Sequence, residues 1–365
     1  MKVEINVINV EDGDAIILML KDNDRKSLIL IDGGYKKYYP KLKRRIEEVL
    51  PLFDNKIDLL ICTHYDNDHI GGVEKILDDY HTKIEQIWIH KIDSSIDSTI
   101  NLMEEKIQNL ESHLILESNK YIKSIEAFTN NLVIEGYKDL LRVIQKIKNY
   151  GLDTKIIEAK QGDYFEKFPE FSVISPSSAF YNKNLPELKE ESILEDLKNN
   201  IRMKSTSFPK LLELLYESFD ESGAPQDYCE QLEKSSLENG VTATNMVSIV
   251  TLLEFDNKRF LFTGDSGIES YEPNSPNWKE KLKNLLFLII PHHGSKNNSS
   301  YEMLSVFNPI HAFVSGKSSE NRPSVFIEKC LKGKERLKTF EVTNKESNTW
   351  YLSMDENGNF KRILE

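Results

Sequence analysis

Residues 63–72 read "THYDNDHIGG", and four of them, His64, Asp66, Asp68 and His69, carry side chains of the kind that bind transition metals. The apolar run before them, "KIDLLICTH" (56–64), reads as a strand buried on both faces. After them Ile70, Val73, Ile76, Leu77 and Tyr80 recur at helical spacing. The stretch is therefore a strand-to-helix loop, and Gly71-Gly72 lets the backbone turn tightly into the helix. A solvated acidic loop would explain a lone His-Asp pair. It explains H-x-D-x-D-H-x-G-G after a buried strand poorly.

Two distant stretches repeat the pattern. "FLFTGD" (260–265) ends an apolar strand in Asp265, and "FLIIPHHGS" (287–295) ends another in His292 and His293. Four of the eight histidines thus lie at the ends of apolar strands, beside glycine. A carboxylate held at a strand end can bridge two metals or complete the shell of one. His81, His90, His113 and His311 stand alone and read as structural or surface residues.

Around these motifs the chain is rich in short strands. "EINVINV" (4–10), "AIILML" (15–20) and "SLILID" (27–32) read as consecutive antiparallel strands, and 41–50 as a helix. "IEQIWIHK" (84–91), "TKIIEAKQGDYF" and "FSVISPS" (154–177), "VSIVTLLEF" (247–255), "KRFLFTGD" (258–265), "LLFLIIPHH" (285–293) and "HAFVSG" (311–316) continue the β pattern. "TWYLSMDENGNFKRIL" reads as a hairpin turning at Asn357-Gly358. Residues 95–150 and 178–241 have helical periodicity and read as insertions, so 1–365 is expected to form one α/β domain carrying two of them.

Composition sets limits. The net charge of -12, from 47 basic and 59 acidic residues, disfavours broad attraction to nucleic acid or anionic membrane. The basic run "YKKYYPKLKRR" (35–45), with its three tyrosines, is either a local strand-binding patch or a solvated helix face. No apolar run is long enough to span a bilayer, the N-terminus does not resemble a signal peptide, and no membrane role is expected. Three widely spaced cysteines, Cys62, Cys229 and Cys330, suggest reduced thiols in a cytoplasm, with no disulfide framework.

Taken together, Asp32 in "LIDGG", the His64–His69 loop, "NMVSIV" (245–250), "FTGD" and "PHHGS" resemble, in order, the five motifs of the metallo-beta-lactamase superfamily. Within it the chain is most similar to the hydrolase domain of ComEC-type DNA-uptake proteins. "INVINVEDGDAIIL", "HYDNDHIGG" and "NMVSIV…FLFTGD…PHHGSKNNSS" carry that likeness, over residues 1–92, 155–177 and 242–325. The resemblance implies an αββα sandwich with metal at one sheet edge, and one or two divalent ions, zinc or manganese. It implies His64, Asp66, Asp68, His69, Asp265 and His293 as ligands. Asp68 and His64 would serve catalysis, and Asp32 would buttress the metal loop. His292, Ser295, Asn245 and Arg322 are candidates to contact substrate, with His292 kept open as the ligating member of its pair, Arg322 equally the mark of a lost catalytic group, Ser295 equally part of a helix cap and Asn245 equally a polar strand residue.

The departures are specific. The third motif usually offers a histidine to the first metal, whereas "TATNMVSIV" has Asn245 and none. Asp66 stands in place of another histidine, so the first metal position lacks an evident third ligand. Arg322 stands where the branch usually has a histidine before Pro323. The reading that follows is a metal-dependent phosphodiesterase or nuclease acting on DNA. A protein partner docked on the insertions would regulate it, as in an antiviral defence effector. The alternatives are a hydrolase of small phosphodiesters or esters, and a non-catalytic scaffold with a degenerate site.

Overall fold

The computed structural model describes residues 1–91, 93, 95–117, 125–184, 228–238, 241–271, 277–316, 322–343, 349–354 and 360–362. Its first strands are β1 Lys2–Val7, β2 Ile16–Asp22, β3 Arg25–Ile31, β4 Leu59–Ile61, β5 Ile87–Trp88 and β6 Ile156–Ile157. Then come β7 Tyr164–Phe165, β8 Phe168–Ser175, β9 Val250–Phe255, β10 Lys258–Phe262 and β11 Phe287–Ile289. The last are β12 His311–Val314, β13 Thr339–Val342, β14 Trp350–Met354 and β15 Phe360–Arg362. They form two sheets, in the orders β15-β14-β1-β2-β3-β4-β5-β6 and β13-β12-β11-β10-β9-β8-β7.

Side-chain alternation explains why the sheets stack. On the first sheet Ile5, Leu18, Ile29 and Ile61 point at the second, where Phe171, Leu253, Phe262 and Phe287 meet them. Their neighbours Ile17, Met19, Leu28, Leu30 and Leu60 point outward. There they are covered by Leu42 and Ile46 of the helix Tyr39–Val49, Ile76 and Leu77 of Val73–Tyr80, and Leu140, Ile144 and Ile147 of Ile125–Asn149. The outer face of the second sheet, Leu252, Leu261, Leu288 and Ala312, is covered by Met303, Leu304 and Phe307 of Tyr301–Phe307 and Ile327 and Leu331 of Val325–Lys332. The result is the expected αββα sandwich.

The strands β3, β4 and β5 run parallel, as do β10, β11 and β12. Each metal-type motif leaves the C-terminal end of one of these strands, the edge at which open α/β sheets bind ligands. Helices Ile96–Glu117 and Ile125–Asn149 lie between β5 and β6, where the first insertion was expected. The second expected block, 178–241, is helical at Ser178–Asn184 and Tyr228–Glu238, and its residues 185–227 lie outside the described ones. β14 and β15 pair antiparallel as the hairpin reading requires, with the Asn357-Gly358 turn outside the described residues.

The cysteine reading needs correction. Cys229 and Cys330 form a disulfide, and Cys62 is the free, buried thiol. They are 101 residues apart in sequence, but the helices that carry them bring their Cα atoms to 5.0 Å. Among the described residues no helix is long and apolar enough to cross a membrane.

Candidate metal centre

The loop after β3 supplies the first anchor. Asp32, fully buried at φ 58°, accepts hydrogen bonds from the Thr63 backbone N–H at 2.8 Å and the Thr63 hydroxyl at 2.6 Å. Its Oδ2 also lies 2.8 Å from His69 Nδ1. One carboxylate thus ties the end of β4 to the short helix Asn67–Ile70. Behind it the two backbones touch: Gly33 N–H donates to the His69 carbonyl at 2.9 Å and Gly72 N–H to the Gly34 carbonyl at 2.7 Å.

Four histidines converge, and each is held by its Nδ1. His69 Nδ1 donates to Asp32, and His293 Nδ1 to the Ser315 carbonyl at 2.7 Å. His292 Nδ1 donates to Asn298 Oδ1 at 2.9 Å. His64 Nδ1 lies 3.1 Å from the Thr63 hydroxyl, which gives its own proton to Asp32 and so accepts from the ring. These partners leave the lone pair of the neutral ring on Nε2 in every case, as outer partners do for metal-bound histidines.

The Nε2 atoms face one carboxylate. Asp265 Oδ2 is 3.6 Å from His64 Nε2 and 3.4 Å from His292 Nε2. Asp265 Oδ1 is 3.1 Å from His69 Nε2 and 3.7 Å from His293 Nε2, and the latter lies 3.2 Å from Asp68 Oδ2. Tetrahedral coordination at about 2.0–2.1 Å sets neighbouring ligand atoms about 3.3–3.4 Å apart. The observed separations match that spacing. His64 Nε2, His69 Nε2 and both Asp265 oxygens are buried without a hydrogen bond of acceptable geometry. Four orphaned buried polar atoms facing one another are costly unless something satisfies them together, and a divalent cation fits that donor set.

The ionisation states differ from ring to ring. Burial and the neighbouring His69 push His64 down to about 4. Burial would lower His69 too, but Asp265 and Asp32 override it and raise this ring well above 6.5. His293 is also raised, the charges of Asp265 and Asp68 outweighing its burial. Asp265, despite burial, is held well below the usual carboxylate range by His292, His69, His293 and His64.

Of the residues singled out in the sequence, Asp68, His69, Asp265 and His293 form the tightest cluster. His64 and His292 join at the second oxygen of Asp265. Asp66 is half-buried at the start of Asn67–Ile70 and near enough for its charge to raise His64, but lies outside that tight cluster. Asn245 is buried with Nδ2 3.5 Å from His292 Nδ1. Ser295 is buried and accepts from the Asn297 N–H, which is a capping role. Arg322 precedes the Pro323-Ser324 segment that packs on Gly294, and the Ser324 N–H donates to the Gly294 carbonyl at 2.9 Å. His81, His90 and His311 have partners elsewhere: the Leu77 carbonyl, Lys160 and Thr339.

One acid escaped the sequence reading. Asp14, buried in the turn before β2, groups with Asp32 and His69, and its N–H donates to the Asp68 carbonyl at 3.2 Å. Burial pushes its carboxyl up to about 6. Its signal was its place in "EDGDAI", a turn that reads only as a strand connection.

The basic run 35–45 makes ion pairs and hydrogen bonds within the fold. Lys36 pairs with Glu74, Lys37 with Glu11, Lys43 with Asp79, and Arg45 with Glu48 and Asn6, while Lys41 donates to the Asn9 carbonyl.

Comparison with known proteins gives one family match, to the Metallo-beta-lactamase superfamily over residues 16–92, which span Asp32 and the His64–His69 loop. No curated protein matches. Among solved structures, one is AidC, a dizinc quorum-quenching lactonase in complex with a product. It is 12% identical, with a TM-score of 0.34 over 96% of this chain and 79% of that one. Residues 16–92, which carry Asp32 and the His64–His69 loop, thus match the metallo-beta-lactamase superfamily model, and the two stacked sheets with helices outside are consistent with its fold.

Proposed function

We propose that this chain is a metal-dependent hydrolase of phosphodiesters, and that its substrate is DNA. The observation that carries the metal-dependent part is the pair of unsatisfied Asp265 oxygens, each faced by imidazole nitrogens. Asp265 would serve as a ligand beside both groups of histidines that face it. Asp68, His69 and His293 would hold one ion with Asp265, and His64 would sit toward a second. A divalent ion bound there would supply Lewis-acid activation of water and charge neutralisation of a phosphate. The protein's own part is positional. Thr63, Asp32, Ser315 and Asn298 orient the rings, and the buried walls keep bulk water from the histidines. Asp68, partly exposed and held ionised by its contact with His293, would orient a water beside the ion.

The choice of a phosphodiester and of the ComEC-type branch is supported by the motif likeness; the four imidazoles and two carboxylates of the donor set suit zinc, with manganese the second choice. The 35–45 run lends no support, because its charges are engaged within the fold. Regulation by a partner on the helical insertions is part of the same proposal.

The test uses metal-stripped protein, with manganese or zinc restored, against bis-p-nitrophenyl phosphate and labelled single- and double-stranded DNA. Cleavage of DNA that returns with metal and is absent in Asp265→Asn and His69→Ala is expected. Turnover of the small ester alone would overturn DNA as the substrate. No turnover with either metal would overturn catalysis by the chain alone.

A further inference from the structure

The sequence left the first metal position with His64 and Asp66 and no evident third ligand, and kept His292 open between contacting substrate and ligating metal. The structure assigns His292 to the metal: we infer that His292 Nε2, with His64 Nε2 and Asp265 Oδ2, completes a three-residue ligand set for a first metal ion. His293 would belong to the second. This rests on the metal-dependent reading above and deepens it.

Three observations converge. First, Asp265 Oδ2 is approached by the His64 and His292 rings at 3.6 and 3.4 Å, while its Oδ1 is approached by His69 and His293 at 3.1 and 3.7 Å. The tandem histidines are therefore divided between the two oxygens of one carboxylate, and their ring centroids are 5.6 Å apart at 72°.

Second, the backbone is bent to make that division. On a strand, adjacent side chains leave on opposite faces, so a tandem pair could not both reach one site. Here the chain leaves β11 and passes through His292 at φ 48°, ψ 52° and His293 at φ 55°, ψ 23°. Gly294 follows at φ 82°. Two successive non-glycine residues in the left-handed region are strained, and such strain persists at sites that use it.

Third, His292 is oriented as the other three rings are. Asn298 Oδ1 accepts from its Nδ1, and Asn298 Nδ2 donates to the Asp265 carbonyl at 2.8 Å. A single amide thus fixes the ring and the segment that carries the carboxylate. A histidine that only touched substrate would have no need of a clamp shared with Asp265. His292 is also 95% buried by exposure of 5%, which suits a ligand better than a surface contact.

The experiment counts bound ions without relying on turnover. Metal-stripped protein is titrated with Co²⁺, following its d–d absorption, and with Zn²⁺ against a chromophoric chelator. The variants are His64→Ala, His292→Ala, His293→Ala and the double variant His64→Ala/His292→Ala. His292→Gly is added because glycine accepts the φ of this position, so loss of metal cannot be ascribed to a broken turn. Near-ultraviolet circular dichroism checks the fold of each.

Wild type is expected to bind two equivalents. His64→Ala, His292→Ala and His292→Gly should each weaken the same equivalent by about 100-fold or more. The double variant should be little worse than either single one, as for two ligands of one ion. His293→Ala should weaken the other equivalent. The inference is overturned if His292→Gly keeps, at wild-type affinity, the ion that His64→Ala loses. A wild-type protein that binds no ion overturns the metal-dependent reading itself, and this inference with it.

Discussion

Asp32 Oδ2 lies 2.8 Å from His69 Nδ1, and the same carboxylate accepts both the N–H and the hydroxyl of Thr63. It therefore orients rings on two sides: His69 directly, and His64 through Thr63. Asp32→Asn should keep the turn, since asparagine tolerates the left-handed φ of 58°. It sets an amide N–H against donors, however. Metal affinity is expected to fall about 10- to 100-fold, read by chelator competition. Unchanged affinity would mean that the carboxylate is structural only.

Asp14 offers a test in the metal-free protein. Its carboxyl is raised from 3.8 to about 6 by burial, so folding favours its protonated form. Its contribution is complete below about pH 4 and is lost as pH rises through 6. The loss is on the order of 3 kcal/mol, tempered by the nearby imidazoles. In the presence of chelator, Asp14→Asn should therefore match wild type near pH 4 and melt higher above pH 6. A Tm difference that does not change with pH would contradict this.

Metal uptake should release protons. The carboxylates of Asp265, Asp32 and Asp68 raise His69 and His293 above 6.5 and so favour their protonated forms in the metal-free protein, whereas burial lowers His64 to about 4. A cation displaces those protons, so apparent affinity should drop about tenfold per pH unit for each proton displaced as the solution is acidified. Calorimetric titration in buffers of different ionisation heat measures the release directly. A binding heat independent of buffer would refute it.

Gly72→Ala should damage the site through the backbone. A Cβ there would stand 2.0 Å from the Gly33 carbonyl oxygen, an atom with little freedom to move. Relief would separate the loop after β3 from the helix that carries His69, and with it Asp32 from its partners. A loss of about 3 kcal/mol of stability is expected, together with weakened metal binding. A variant with wild-type Tm and metal affinity would show that the loops have slack.

The Cys229–Cys330 disulfide closes a loop of 101 residues. The chain-entropy estimate for such a loop is about 4–5 kcal/mol. Reduction, or Cys330→Ser, should lower Tm measurably. An unchanged melt under reductant would mean that the packing of the two helices suffices.

The candidate loop stood out because its signal is local: His64, Asp66, Asp68 and His69 sit together after an apolar run, and the fold brings Asp68 and His69 beside Asp265 and His293. The strands were legible for the same reason, since alternation is written residue by residue. What escaped depends on geometry that has no local signature. The division of His292 from His293 follows from two left-handed residues, whereas strand periodicity alone would have sent one of them away from the site. Asp14 comes to the cluster through the turn before β2, whose Gly13 lies so close to Asp68 that a Cβ would meet its carbonyl oxygen at 2.4 Å. The Cys229–Cys330 pairing needed two helices to lie side by side, and no spacing in the sequence says that they do. The charges of 35–45 found partners on β1, the following helix and its own turn, which composition could not foresee.

β1 is an interior strand of the first sheet, paired with β2 on one side and with β14 on the other. Val3, Ile5 and Val7 are buried, yet the strand that covers their free edge is residues 350–354, far along the chain. During synthesis on the ribosome, the earliest strand therefore emerges with a hydrogen-bonding edge that stays open until some 350 residues have followed it. Until residues 350–354 are made that sheet stays unfinished, with the edge of β1 open to wrong pairing.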